Sequence, residues 1–271
     1  MPSVQTRHMK WNWLFFFPLL FILTFLALPL VAVFLKVLSR TDAWEALHHP
    51  FVTEALWLSA ITSLSSLLLA LLLGTPIAYL LARSRARGIV LLDTLLDLPM
   101  VLPPTVAGVA LLMAFGRRGI LGEWFDVVGL QISFTTIAVI LAQSFVSAPF
   151  YIRAARAGFQ SVDQELERVA YTLGHSSLST FLHVTIPLAF PALLGGAVMA
   201  WARALGEFGA TIMFAGNMIG RTQTMPLAIY TAMETDLTAA LVLSLILIAV
   251  SFGVLFGVRM LLHSSPFGTY A

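Results

Sequence analysis

From residue 14 to residue 262 one pattern recurs: an apolar run, a short polar interval, then another apolar run. A helix needs about 20 mostly apolar residues to cross a bilayer, and six runs qualify. They cover about 14–38, 55–82, 101–115, 134–152, 185–205 and 239–262. The chain is 59% hydrophobic and only 10% charged, whereas soluble domains carry about 25% charged residues. Lipid is the solvent that suits such a chain. The fold class expected is all-α: a polytopic membrane protein with about six transmembrane helices.

Three runs need separate treatment. The third is interrupted by Pro99, Pro103 and Pro104 and preceded by Asp93 and Asp97. Proline lacks a donor and clashes with the preceding turn, so 91–98 reads as a short helix, interfacial or packed in the bundle, followed by a kinked, short span. The fifth run can extend towards Phe214. The first follows Arg7 and Lys10, as a signal peptide would. Its apolar stretch exceeds the usual length of about 7–15 residues, and no clear small-x-small cleavage site ends it, so it reads as a retained span.

Orientation follows the excess of Lys and Arg in cytoplasmic loops. With the N-terminus inside, the inner side receives Arg7, Lys10, Arg83, Arg85, Arg87, Arg153, Arg156, Arg168 and Arg259. The outer side receives Lys36, Arg40, Arg117, Arg118 and Arg221. Both termini and the 153–183 segment are then expected in the cytoplasm.

Several function classes are disfavoured. The basic residues are dispersed between apolar runs, which argues against nucleic acid. Cysteine is absent, and the six histidines show no metal-ligand spacing; His48 and His49 read as a solvated loop. Only two lysines occur, Lys10 and Lys36, and neither follows a glycine, so the chain has no phosphate loop and cannot itself be an ATPase. Neither His-Glu-x-x-His nor Gly-x-Ser-x-Gly is present, and no catalytic or metal site is expected. No internal repeat is visible. A path between two copies is therefore the natural alternative to a path between repeats. A proton- or sodium-driven carrier working alone remains open.

The polar stretch from Asp163 to Pro187 separates two apolar runs. Asp163 is placed to cap a helix, Glu165 and Glu167 suit its first turn, and Gly174 suits its C-terminal stop. A second short helix can start at Ser177 or Ser179, and Pro187 sits near the start of the fifth span, where its missing donor costs little. Leu166, Val169, Ala170 and Leu173 share one side, and small Ala170 would let a partner approach. Either this hairpin rests on the bundle as an ordinary connection, or something soluble docks there.

This stretch resembles the EAA loop of permease subunits of binding-protein-dependent ABC importers. Arg168-Val169-Ala170 stands at the E-A-A positions, Gly174 at the glycine, and Val184-Thr185-Ile186-Pro187 at the ending. Arg168 departs from the usual Glu, and Glu167 stands one place early. A second resemblance, to molybdate permeases, rests on 202–217 (Ala-Arg-Ala-Leu-Gly-Glu-Phe-Gly-Ala-Thr-Ile-Met-Phe-Ala-Gly-Asn), on 222–230 and on 97–104. It extends over most of the chain from about residue 55.

The resemblance implies a type I ABC importer permease fold, divided into 1–54 (N-terminal tail, first helix, external loop), 55–262 (transmembrane domain with coupling loop 160–183) and a tail 263–271. It implies a coupling loop using Glu165, Glu167, Arg168, Val169, Ala170, Gly174, Ile186 and Pro187. The implied partners are a second copy of the chain, two cytoplasmic ATPases that hold the ATP-Mg, and an extracytoplasmic molybdate-binding protein. The cargo implied is molybdate, with tungstate or sulfate as alternatives, across the inner membrane.

Within the fifth run Arg203 and Glu207 are four residues apart and share a helix face. A charge at the bilayer centre costs roughly 2.5–3.5 kcal/mol on insertion scales. The pair marks either a path or a structural tie near the outer interface, with Glu207 the partner of Arg203 or of backbone donors. Gly206, Gly209 and Gly216 allow close packing at a two-fold seam or backbone donors towards a path. Thr211 and Asn217 offer uncharged hydrogen bonds.

Overall fold

The structure, a computed structural model, describes residues 13–84 and 88–264. Arg7, Lys10, Arg85 and Arg87, on which the orientation partly rests, lie outside the described residues, as does the tail beyond Ser264. Along the chain the elements are α1 (Trp13–Leu38), α2 (Ala43–Leu47), α3 (Pro50–Arg83), α4 (Ile89–Val101), α5 (Pro104–Phe115), α6 (Gly122–Val127), α7 (Thr136–Ser161), α8 (Gln164–Thr172), α9 (Ser177–Thr180), a π turn (Phe181–Thr185), α10 (Ile186–Leu205), α11 (Gly209–Ala215), α12 (Met225–Thr235) and α13 (Leu237–Ser264). Among the described residues there is no strand, so the all-α expectation holds.

Among the described residues five helices are long and apolar enough to cross a membrane, and α4 with α5 make a sixth only as a broken pair bent by 116°. The third run is thus sharply broken, either a broken span or a re-entrant pair of helices. Leu102 and Pro103 are both extended, with ψ of 134° and 133°, because a residue before proline is pushed out of the helical region. Two such residues in succession turn the chain. α5 has 12 residues, about 18 Å at 1.5 Å per residue, too short to cross alone.

The fifth run ends at Leu205, its expected bound, without the extension towards Phe214. α10 stops at Leu205, Gly206 to Phe208 leave the helix, and α11 restarts at Gly209, so no continuous helix reaches Phe214. At its other end α10 is continuous with α9 through the π turn, and Ser177–Leu205 forms one span. Pro187 has no N–H to donate to the carbonyl of His183, and its ring crowds that carbonyl. The Ile186 amide instead reaches Phe181 O, and the widened turn absorbs the misfit.

The bundle is built on α3, α7 and α10. Between α7 and α10 the contact is made by small residues: a Cβ on Gly158 would lie 2.6 Å from that of Ala192, and one on Gly196 2.6 Å from that of Ala154. In lipid, backbones associate through such close packing. Ser59, Thr62, Ser63 and Ser66 of α3 are all buried. They satisfy themselves locally or across the seam: the Thr62 hydroxyl donates to Leu58 O (2.8 Å), and Ser66 to Ile140 O (3.0 Å) and Gln143 Oε1 (3.2 Å). Tyr79, Phe159 and Phe181 close the end of the bundle nearest the hairpin, with ring centroids 4.8–5.9 Å apart. α1 packs on α13 at the periphery.

Candidate functional site: the hairpin and the two helix breaks

Asp163 Oδ1 accepts from Glu165 N–H at 2.9 Å and caps α8. At its end the Gly174 amide donates to Tyr171 O (3.0 Å) and the His175 amide to Ala170 O (3.1 Å). This pair of bonds defines a Schellman stop, and it needs the positive φ of 90° found at Gly174. Ser176 Oγ then accepts from Ser179 N–H at 3.2 Å and starts α9. The hairpin is therefore α8, a glycine turn, and the expected second short helix, which starts at Ser177 and runs on through the π turn into the fifth span.

The apolar side of α8 does not rest on the bundle. Leu166, Val169 and Leu173 are 47%, 53% and 75% exposed. With Ala170, His175, His183, Val184, Pro187 and Leu188 they line an open groove of about 500 Å³. Ala170 is buried at its floor, so its small side chain serves close packing within the hairpin before any partner arrives. Ile186 lies half-buried at the head of α10.

The two acids of α8 have different surroundings. Glu165 is exposed and pairs with exposed Arg168, an interaction worth about 0.3–0.5 kcal/mol in such a position. Glu167 is buried; its Oε1 accepts from Arg83 Nη2 at 2.7 Å and from the Thr185 hydroxyl at 2.8 Å. Arg168, at the position of the usual Glu, thus faces out, and the acid that engages the protein is Glu167, one place early. The Arg83 guanidinium also reaches Val162 O at 3.4 Å and lies over the Tyr79 ring.

The second cluster forms where the α4–α5 and α10–α11 interruptions meet. A Cβ on Gly209 would sit 2.7 Å from Pro104 Cβ, and one on Gly108 2.7 Å from Ala210 O. The close approach of Gly209 is therefore made to α5 of the same chain. Arg203 Nη1 lies 2.7 Å from Glu207 Oε2, with Glu207 only 1% exposed. Glu207 Oε1 accepts from Ala210 N–H at 2.8 Å. One carboxylate thus closes the last turn of α10 and caps α11. Arg203 is 17 residues beyond Ile186, about 26 Å along the helix, at the end of the span away from the hairpin.

Gly206 is exposed in the break. Gly216 ends α11 with φ of 74°. Thr211 is fully buried, with no hydrogen-bond partner for its hydroxyl among the described residues. Asn217 Nδ2 donates to Thr231 Oγ1 at 2.9 Å.

Sequence reasoning missed Arg83 and Thr185 as partners of Glu167. It also missed two ion pairs that clamp α4 to α7: Arg153 Nε donates to Asp97 Oδ1 at 2.6 Å, and Arg156 pairs with Asp93. A signal was present. Asp93 and Asp97 are four apart and Arg153 and Arg156 three apart, so each pair occupies one helix face.

Residues 70–262 match the family described as the binding-protein-dependent transport system inner membrane component. The chain is 43% identical to the molybdenum transport system permease protein ModB of Mycobacterium tuberculosis over 247 residues, 91% of this chain and 92% of the relative. It is 40% identical to the molybdate/tungstate transport system permease protein WtpB of Pyrococcus abyssi over 196 residues, 72% of this chain and 74% of the relative. Among solved structures, a bacterial alginate ABC transporter in complex with an alginate pentasaccharide-bound periplasmic protein contains a chain that superposes with a TM-score of 0.71. The identity is 16%, and 96% of each chain is covered, a likeness of fold. With helices that suit a membrane, an EAA-type hairpin and these relatives, the chain belongs to the permease subunits of binding-protein-dependent ABC importers, in their molybdenum-permease branch.

Proposed function

We propose that this chain is the translocating subunit of an ATP-driven importer whose cargo is molybdate. It works as a homodimer in the inner membrane, with both termini in the cytoplasm, two cytoplasmic ATPase chains at its hairpins and an extracytoplasmic molybdate-binding protein on the other side. The ATP-Mg belongs to the ATPases. The observation that carries the reading is the groove along α8: a capped, rigid helix whose apolar side is left open at the end of the bundle. A connecting loop has no need of an exposed apolar side, whereas a helix seated on another protein does. The cargo is supported by the molybdenum and molybdate/tungstate relatives.

The test is purification of the intact complex in mild detergent, followed by ATP hydrolysis assays with the binding protein. A phosphate-loop ATPase is expected to co-purify, and molybdate-loaded binding protein to stimulate hydrolysis. Stimulation by sulfate in place of molybdate or tungstate would overturn the cargo, and absence of any ATPase from the complex would overturn the machine.

A further inference from the structure

We propose that Arg83 and Thr185 are positioning residues that lock Glu167 into the bundle, so that the docking face of α8 is held outward and its displacement is passed directly to α3. The proposal rests on α8 being the ATPase-docking element, and adds how the docked force leaves it.

Three observations support it. First, Glu167 lies about 100° around α8 from Leu166; with its carboxylate pinned by Arg83 and Thr185, α8 cannot roll about its axis. Leu166, Val169 and Leu173 stay turned to the groove. Second, one guanidinium joins four segments. Arg83 ends α3, contacts the carbonyl of Val162 at the α7–α8 junction, holds Glu167 of α8, and through Glu167 meets Thr185 in the π turn. These are the places where a tilting hairpin would hinge. Third, α3 runs 34 residues, about 51 Å, and near its other end Ser59 Oγ accepts from Met225 N–H at 2.7 Å, at the head of α12. Without Arg83 the hairpin is attached to the bundle through the chain at α7 and α10 and through the packing of the π turn. With it, a push on α8 also moves a rod reaching the opposite end.

The pair is well shielded, with side-chain exposures of 16% for Arg83 and 9% for Glu167. Removing one member leaves the other charge uncompensated, which links positioning to the two residues together and not to either alone.

The experiment uses the complete transporter, with ATPases and binding protein, in liposomes, and reads three quantities: ATPase retained, ATP hydrolysed, and molybdate imported per ATP. Glu167→Gln and Thr185→Val, which free α8 to roll but leave Leu166, Val169 and Leu173 in place, are expected to weaken without abolishing ATPase binding and to lower molybdate imported per ATP, by about tenfold for Glu167→Gln and less for Thr185→Val. The swap Arg83→Glu with Glu167→Arg is expected to recover import per ATP above either single change. Wild-type import per ATP in both Glu167→Gln and Thr185→Val, or a swap no better than the single variants, would overturn the proposal. If Glu167→Gln fails to reach the membrane, Thr185→Val decides alone, since it removes one hydroxyl donor. Leu173→Asp tests the docking reading separately: it is expected to release the ATPase, and retention would sink docking at α8 whatever the Glu167 variants do.

Discussion

At the scale of single residues, environment and not residue type separates the ionisable groups. Glu165 and Glu167 are two positions apart on one helix, yet one pairs loosely in the open and the other is buried between two donors. Glu207 is the extreme case, 1% exposed and shared between Arg203 and the Ala210 amide. Removing Glu207 alone strands a guanidinium beside the break and uncaps α11; removing Arg203 alone strands a buried carboxylate. Thermal unfolding of the purified protein should therefore show Arg203→Ala and Glu207→Ala as each strongly destabilising. The double variant should be less destabilised than the sum by about 0.5–3 kcal/mol. Additive effects would mean the 2.7 Å contact has no energetic content.

At the scale of elements, the spans, the α8 cap and the Gly174 stop were legible because each depends on local sequence: apolar length, an Asp before a helix, a glycine after it. The breaks were less legible. Pro103 and Pro104 announced trouble in the third run, but a 116° bend depends on what the two halves pack against. The stop at Leu205 is written in Gly206 and in Glu207, whose carboxylate can cap only if the chain leaves the helix there. The inward turn of Glu167 was not legible at all, since Arg83 is 84 residues away in sequence.

Two predictions belong to this scale. Gly174→Val should impair the hairpin for conformational reasons, because no atom crowds the site, while a β-branched residue resists φ of 90°. The expected result is less ATPase retained with normal membrane insertion, measured by co-purification against membrane yield; equal retention would count against it. The α4 clamp makes a second case. Asp93→Asn with Asp97→Asn removes both charged partners of Arg153 and Arg156. It should lower the unfolding temperature more than either single change and raise proteolysis within 84–103, whereas unchanged proteolysis would mean apolar contacts alone hold α4.

At the scale of the whole molecule, the question is what covers the breaks. Irregular backbone at membrane depth is tolerated only where protein or a water-filled cavity surrounds it. In the single chain Pro103, Pro104, Thr105 and Gly206 are exposed, and so are Val106, Val109 and Met113 along α5, which is too short to span. Lipid suits Val106, Val109 and Met113 but not the interrupted backbone at Leu102 and Pro103 and at 206–208, which needs protein or water beside it. A homodimer with its path along the shared axis would supply both. The complex should therefore carry two copies of this chain by native mass spectrometry, and the break should be wet on the axis side. Because the sequence has no cysteine, single substitutions read this directly. Thr105→Cys, at the head of α5, should react with a charged, membrane-impermeant thiol reagent. Leu28→Cys, on the exposed apolar surface of α1, should not. Binding of the loaded binding protein with ATP should change the Thr105→Cys rate and leave Leu28→Cys silent. A Thr105→Cys as inert as Leu28→Cys in every state would mean that protein, not a path, fills the space beside the two broken helices.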